Sequence, residues 1–159
     1  MNGEITVLYV DDDPISLRTR GGVLDAYEGI DVVTERSARD GLERLADSDV
    51  ECVLSDLEMP DLDGIAFLEA VRADRPNLPF IVFTGRESEA AISATFEAEA
   101  TDYIFKSVGL VSYDLVAKRI ERAVEHYRMQ RRFPPVGAER RIDRSSDDRR
   151  LSRDGGGRP

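Results

Sequence analysis

Four aspartates, a threonine and a lysine stand at the ends of short apolar runs, and their placement is the first pointer to chemistry. Asp11-Asp12-Asp13 closes the run at residues 5–10, Asp56 closes 51–55, Thr84-Gly85 closes 80–84 and Lys106 closes 101–105. Carboxylates gathered at neighbouring strand ends repel one another unless a cation lies among them. Hard oxygen ligands at a loop rim suit Mg²⁺, which takes one or two carboxylates and keeps waters for substrate oxygens. Aspartate also caps helices, and Asp13 before Pro14 reads that way, as an N-cap with proline at the first helical position. Asp56 ends a buried apolar run, where capping gains nothing unless a helix starts there. Thr84 offers a hydroxyl, Gly85 a backbone open to close approach, and Lys106 a cation at the same rim. A lone lysine after a strand is ordinarily solvated surface. The ordered set of acids, Asp, Thr and Lys, one group per strand end, is far more specific than any member.

The elements that must position these groups are legible from periodicity. Five apolar runs rich in Val, Ile and Leu occupy residues 5–10, 31–35, 51–55, 80–84 and 101–105. Between them lie stretches with helical spacing. The first starts at Pro14, carries Leu17, Leu24 and Tyr27, and is closed by Gly29. Ser37 caps the second, with Ala38, Leu42, Leu45 and Ala46. The third runs from about Gly64 with Ile65, Leu68 and Val71 on one face. The fourth, Ser88 to Glu97, is alanine-rich and predicted to be weakly anchored. The fifth carries Val116, Ile120, Ala123, Val124 and Tyr127 and is predicted to end near Met129. Strands alternating with helices predict an α/β fold: a doubly wound, five-stranded parallel sheet with helices on both faces. In such sheets ligands bind outside the carboxyl ends of the strands, where the acids, Thr84 and Lys106 fall.

Composition narrows the function. The chain of 159 residues is 41% hydrophobic and 34% charged, which suits one globular domain and a leftover segment. Residues 1–130 are read as the domain and 131–159 as a charged tail, predicted to be disordered because Pro134-Pro135 blocks helix continuation and residues 140–159 are charged and almost free of large apolar residues. The tail has nine Arg against five acids, a charge of +4, so the net −10 leaves −14 on the first 130 residues. A body this acidic repels phosphate backbones and argues against nucleic-acid binding. Only two lysines accompany twenty arginines, and an acidic, lysine-poor surface points to a high-salt, halophilic cytoplasm. No apolar run approaches the roughly 20 residues that span a bilayer, and the amino terminus lacks a signal-type stretch, so a cytoplasmic location is expected. The single cysteine, Cys52, lies in an apolar run and reads as a small buried side chain. His126, the only histidine, reads as a solvated helical residue.

The sequence resembles the response-regulator receiver family (CheY-like) over residues 4 to about 128. The resemblance is carried by Val7-Leu8-Tyr9-Val10-Asp11-Asp12, by residues 56–64 (DLEMPDLDG), by Phe83-Thr84-Gly85 and by Asp102-Tyr103-Ile104-Phe105-Lys106. It implies strand order 2-1-3-4-5, with Asp56 as phosphoacceptor and Mg²⁺ as cofactor. Asp12 would contact the metal directly, Asp11 through water, and Asp56 and the Glu58 backbone carbonyl would complete the protein ligands. Thr84 and Lys106 would each bind a phosphoryl oxygen beside Gly85, and Thr84 and Tyr103 would form the switch. A half-buried strand aromatic is the alternative for Tyr103. The implied partners are a sensor histidine kinase or phosphotransfer protein, and a downstream protein or second copy at the face of the fourth helix, fifth strand and fifth helix.

One departure stands out. The family normally has proline after the lysine, often cis, whereas this chain has Ser107. A cis bond before serine costs about 3–4 kcal/mol against under ~1 for proline, so the loop is expected to be trans or less rigid. Lysine followed by a small polar residue resembles haloarchaeal receivers. Three other readings fit less well. An aspartyl-phosphate phosphatase wants a second aspartate where Glu58 stands. A flavodoxin-like nucleotide binder wants a glycine-rich loop after the first strand. A pseudo-receiver would not need to keep Asp11, Asp12, Asp56, Thr84 and Lys106. A phosphoacceptor switch, rather than a turnover enzyme, fits best.

Overall fold

The computed structural model describes residues 4–106 and 112–133. The apolar runs form five strands, β1 Ile5–Val10, β2 Ile30–Glu35, β3 Cys52–Ser55, β4 Phe80–Thr84 and β5 Asp102–Phe105. They join as β2-β1-β3-β4-β5, with every neighbouring pair parallel. Three strands begin one residue from the expected start. At two of these the ladder already reaches the expected residue: Glu51 N donates to Thr6 O and Thr101 N to Phe80 O. Such differences are those of where an element is said to begin.

Helices fill the four crossovers and follow the last strand: α1 Pro14–Asp25, α2 Ala38–Asp47, α3 Gly64–Asp74, α4 Glu89–Glu97 and α5 Tyr113–Arg132. Each of the first four starts on a side-chain cap. Asp13 accepts from Ile15 N, Ser37 from Asp40 N, Asp63 from Ala66 N and Ser88 from Ala91 N, at 2.9–3.2 Å. A cap of this kind contributes about 1 kcal/mol. After α1 the chain turns through Gly29, whose φ of +87° favours glycine. The last helix runs three residues beyond the expected end and stops before Phe133, the residue ahead of Pro134, which disfavours helical backbone there.

The chain divides into two units, Met1–Tyr127 and Arg128–Pro159. Of the second, residues 128–133 are described, and they carry the end of α5. The remainder of the predicted tail, and Ser107 with its loop, lie outside the described residues.

Alternation along the strands splits the core in two. Val7 and Tyr9 of β1 join Leu54, Phe83 and Ile104 against α1 and α5 residues Leu17, Leu24, Val116, Ile120 and Val124. Leu8 and Val10 join Val53, Phe80 and Val82 against Leu45, Phe67, Leu68 and Val71 of α2 and α3. Burying each such side chain contributes about 1.5–3 kcal/mol, so the sheet is a stiff platform. α4 is held more lightly: Thr95 is its one fully buried residue, in line with the alanine-rich sequence.

Candidate functional site at the carboxyl ends of the strands

Parallel pairing carries the ladder one step past several strand ends, and that step fixes the site. Asp11 N donates to Glu35 O, Asp56 N to Val10 O and Lys106 N to Thr84 O, at 2.7–3.2 Å. The backbones of Asp11, Asp56 and Lys106 are thus locked to the sheet although each residue lies beyond its strand.

The side chains converge. Lys106 Nζ lies 2.7 Å from Asp11 Oδ2 and 3.2 Å from Asp56 Oδ2. Side-chain exposure is 10% for Lys106, 1% for Asp11 and 15% for Asp56, so this ion triad is largely withdrawn from water. The other Asp56 oxygen, Oδ1, accepts from Leu57 N at 2.6 Å and Glu58 N at 3.3 Å. Asp11 Oδ1 accepts from Asp13 N at 3.0 Å. The ammonium of Lys106 also lies 5.3 Å from the Phe83 ring centre, an arrangement in which the ring face attracts the cation.

Asp12 is exposed, and no described residue donates a hydrogen bond to its carboxylate. Glu58 is exposed as well and pairs with Arg86 at 3.4 Å. Among the described residues, Asp11 and Asp56 pair with Lys106 and Glu58 with Arg86, while Asp12 pairs with no cation. Among the described residues no three His, Cys, Asp or Glu side chains form a ready-made metal cluster.

Thr84 is fully buried, and its Oγ1 accepts from Arg86 N at 3.2 Å. The Tyr103 hydroxyl donates to the carbonyl of the same Arg86, and burial raises that phenol above its ordinary pKa. Thr84 and Tyr103 are thereby linked through one residue of the β4–α4 loop. Gly85 is open, and a Cβ there would meet nothing within 4 Å. His126 is exposed on α5.

Three contributions were not read from the sequence, although the resemblance places the Arg86 side chain, like that of Glu58, at a position that tunes water access. Gly64 opens α3 so close to the Asp56 loop that a Cβ would lie 2.3 Å from Asp56 O and 2.7 Å from Leu57 Cα. Arg86 contributes backbone groups, which residue type does not advertise. Tyr9 is fully buried, and its hydroxyl donates to Asp11 Oδ2 at 3.2 Å. That last signal was available. A phenol in an apolar run two residues before an aspartate faces the same side of the strand, and a buried tyrosine hydroxyl needs a partner.

Fold and site together define an open parallel α/β sheet with an acidic, lysine-bridged centre at the carboxyl ends of β1, β3 and β5. The family model for the response regulator receiver domain matches residues 7–118, and the chain belongs to that family, the phosphoacceptor switches of two-component signalling. It is 33% identical over 125 residues to the DNA-binding transcriptional regulator NtrC of Escherichia coli K12, covering 78% of this chain and 26% of that protein. A protein-glutamate methylesterase/protein-glutamine glutaminase of Oleidesulfovibrio alaskensis is 33% identical over 124 residues, 76% of this chain and 33% of that protein. The chain thus spans about a quarter to a third of the length of these relatives. Among solved structures, a CheY-like receiver domain protein of Methanospirillum hungatei superposes with a TM-score of 0.71 at 26% identity, covering 80% of this chain and 99% of that one.

Proposed function

We propose that Asp56 is the phosphoacceptor and that Asp11, Asp12 and Lys106 serve its reaction. The observation that carries this reading is the Lys106 ammonium bridging Asp11 and Asp56, all three side chains largely withdrawn from water, at the strand ends. A carboxylate oxygen of Asp56 attacks the phosphorus of a phosphohistidine on a kinase or phosphotransfer protein. The O–P bond forms as the P–N bond breaks, and the departing imidazole keeps the electron pair. Leu57 N and Glu58 N fix the rotation of the Asp56 carboxylate for this displacement, and Lys106 offers its charge to the oxygens of the incoming group. Positioning and electrostatics supply most of the catalysis in phosphoryl transfer, so no separate base is needed.

The donor set suits Mg²⁺. Asp12 is exposed with its oxygens unspent, the rim carries an excess of negative charge, and an Mg²⁺ site needs only one or two carboxylates. Asp12, Asp56 and the Glu58 carbonyl would hold the ion, with Asp11 behind them. When bound, the metal neutralises charge on the donor's oxygens.

The Thr84–Arg86–Tyr103 linkage supports Thr84 and Tyr103 as the switch. A phosphoryl group drawing the Thr84 hydroxyl would disturb the Arg86 backbone, to which Tyr103 is bonded. The reader is a protein partner or a second copy at the face of α4, β5 and α5, where Phe96, Phe105 and Leu115 leave apolar side chains exposed. The domain acts as a switch with self-phosphorylation and autodephosphorylation only, in a salt-rich cytoplasm; no helix among the described residues is long and apolar enough to cross a membrane.

Beryllium fluoride, which mimics an acyl phosphate on a carboxylate, tests this reading by NMR. Mg²⁺-dependent shifts at Thr84, Tyr103 and Lys106 are expected in the wild type and not in Asp56→Asn. Equal shifts in both proteins would move the acceptor elsewhere.

A further inference from the structure

We infer that Tyr9 is a positioning residue for Asp11, acting with Ser16 to hold the carboxylate in the orientation that a cation at the rim requires. The inference rests on the reading of Asp11 as part of the Mg²⁺ and phosphoryl centre. Tyr9 hydroxyl lies 3.2 Å from Asp11 Oδ2 and 3.0 Å from Ser16 Oγ. An ionised carboxylate only accepts, and a phenol has one proton. That proton therefore goes to Asp11, and Ser16 donates to the phenol oxygen, so the relay runs Ser16 to Tyr9 to Asp11.

The relay is held in place by the packing of the ring. Tyr9 is fully buried on β1, and its ring centre lies 6.0 Å from that of Phe83. On the helix side, α1 comes in at Gly21, where an added Cβ would lie 3.6 Å from Tyr9 Cδ2. Ser16 is on α1, so the relay ties that helix to the first strand directly beneath the acids.

Among the described residues Asp11 has three donors: Lys106 Nζ and Tyr9 hydroxyl on Oδ2, and Asp13 N on Oδ1. Lys106 is shared with Asp56 and is the donor that must turn to an incoming phosphoryl group. Once it turns, the Tyr9 hydroxyl is the remaining donor on Oδ2. The phenol thus keeps Asp11 in place while Lys106 changes partners. Groups that orient direct metal ligands typically contribute 10–100-fold to metal affinity; Tyr9 acts through Asp11, one step further out, so the low end of that range is expected.

The test uses the whole chain and Mg²⁺ itself. Thermal unfolding is followed against Mg²⁺ concentration, since a ligand bound only by the folded state raises Tm as its concentration exceeds Kd. Acetyl phosphate labelling is followed over the same range. Tyr9→Phe, which keeps ring and volume, is expected to raise the Mg²⁺ Kd about tenfold, and to shift the half-saturating Mg²⁺ for labelling equally. Labelling at saturating Mg²⁺ should fall much less. Ser16→Ala should shift both in the same direction by less, and it serves as the test if Tyr9→Phe does not fold. A lower Tm with unchanged Mg²⁺ midpoints would make Tyr9 a packing residue and overturn the inference. A wild type that binds no Mg²⁺ would instead sink the reading of the site.

Discussion

Gly64→Ala is the perturbation whose cost follows most directly from the geometry. The added methyl would lie 2.3 Å from the Asp56 carbonyl oxygen, 2.7 Å from Leu57 Cα and 3.1 Å from Asp56 C. All three are backbone atoms, so no side chain can swing aside. The start of α3 must retreat, breaking the Gly64 N to Leu57 O bond of 2.9 Å, or the Asp56 loop must shift. Overpacking costs about 1–3 kcal/mol, and two backbone collisions under 3.0 Å put this substitution near 3. At roughly 3 °C per kcal/mol for a domain of this size, Tm should fall by about 10 °C. Gly22→Ala is the control: it lies in exposed helix where a Cβ meets nothing within 4 Å, and should gain about 0.5–1 kcal/mol. Scanning calorimetry on both variants, with phosphoryl labelling of Gly64→Ala, reads stability and acceptor geometry together. A Gly64→Ala protein as stable and as readily labelled as wild type would refute the claim that glycine is there to let α3 approach the acceptor.

Three further outcomes follow from the same contacts. Lys106→Met leaves Asp11 and Asp56 withdrawn from water without their shared cation, which should cost about 3–5 kcal/mol in urea unfolding; Asp56→Asn in the same chain should recover part of it, and simple additivity of the two changes would contradict the coupling. Cys52 is fully buried and burial drives its thiol well above the usual range, so a disulfide reagent should find no reactive thiol in the native protein and one after denaturation. The Arg39 guanidinium beside Asp61 holds that carboxyl below its usual range. Folding lowers the value, so the stabilisation is present above the unfolded pKa near ~4 and is lost as pH falls through the folded one. Melting curves of wild type and Arg39→Gln should accordingly differ at neutral pH and converge in acid.

Much of this was written in residue order. Continuous apolar runs with a polar residue at the end mark strands covered on both faces, and Asp13 and Ser37 mark helix starts because their side chains satisfy free N–H groups. Asp11, Asp56 and Lys106 were legible as a group because a parallel sheet brings all strand ends to one rim. What escaped was tertiary. The requirement for Gly64 arises from where α3 meets the Asp56 loop, 8 residues away in the chain, and glycine spacing alone does not show an approach distance. The Arg86 bridge uses main-chain atoms that any residue has. The Ser16–Tyr9–Asp11 relay depends on α1 packing on β1, which periodicity implies without fixing which side chains meet.

The central claim is that Asp56 accepts a phosphoryl group with a divalent cation at the rim. Intact mass after incubation with acetyl phosphate and Mg²⁺ in high salt, with Asp56→Asn alongside, tests it most directly. One phosphoryl adduct is expected on the wild type, lost when Mg²⁺ is chelated and absent from Asp56→Asn. A folded wild type that stays unmodified with acetyl phosphate and with its kinase, or an adduct that persists in Asp56→Asn, would contradict it.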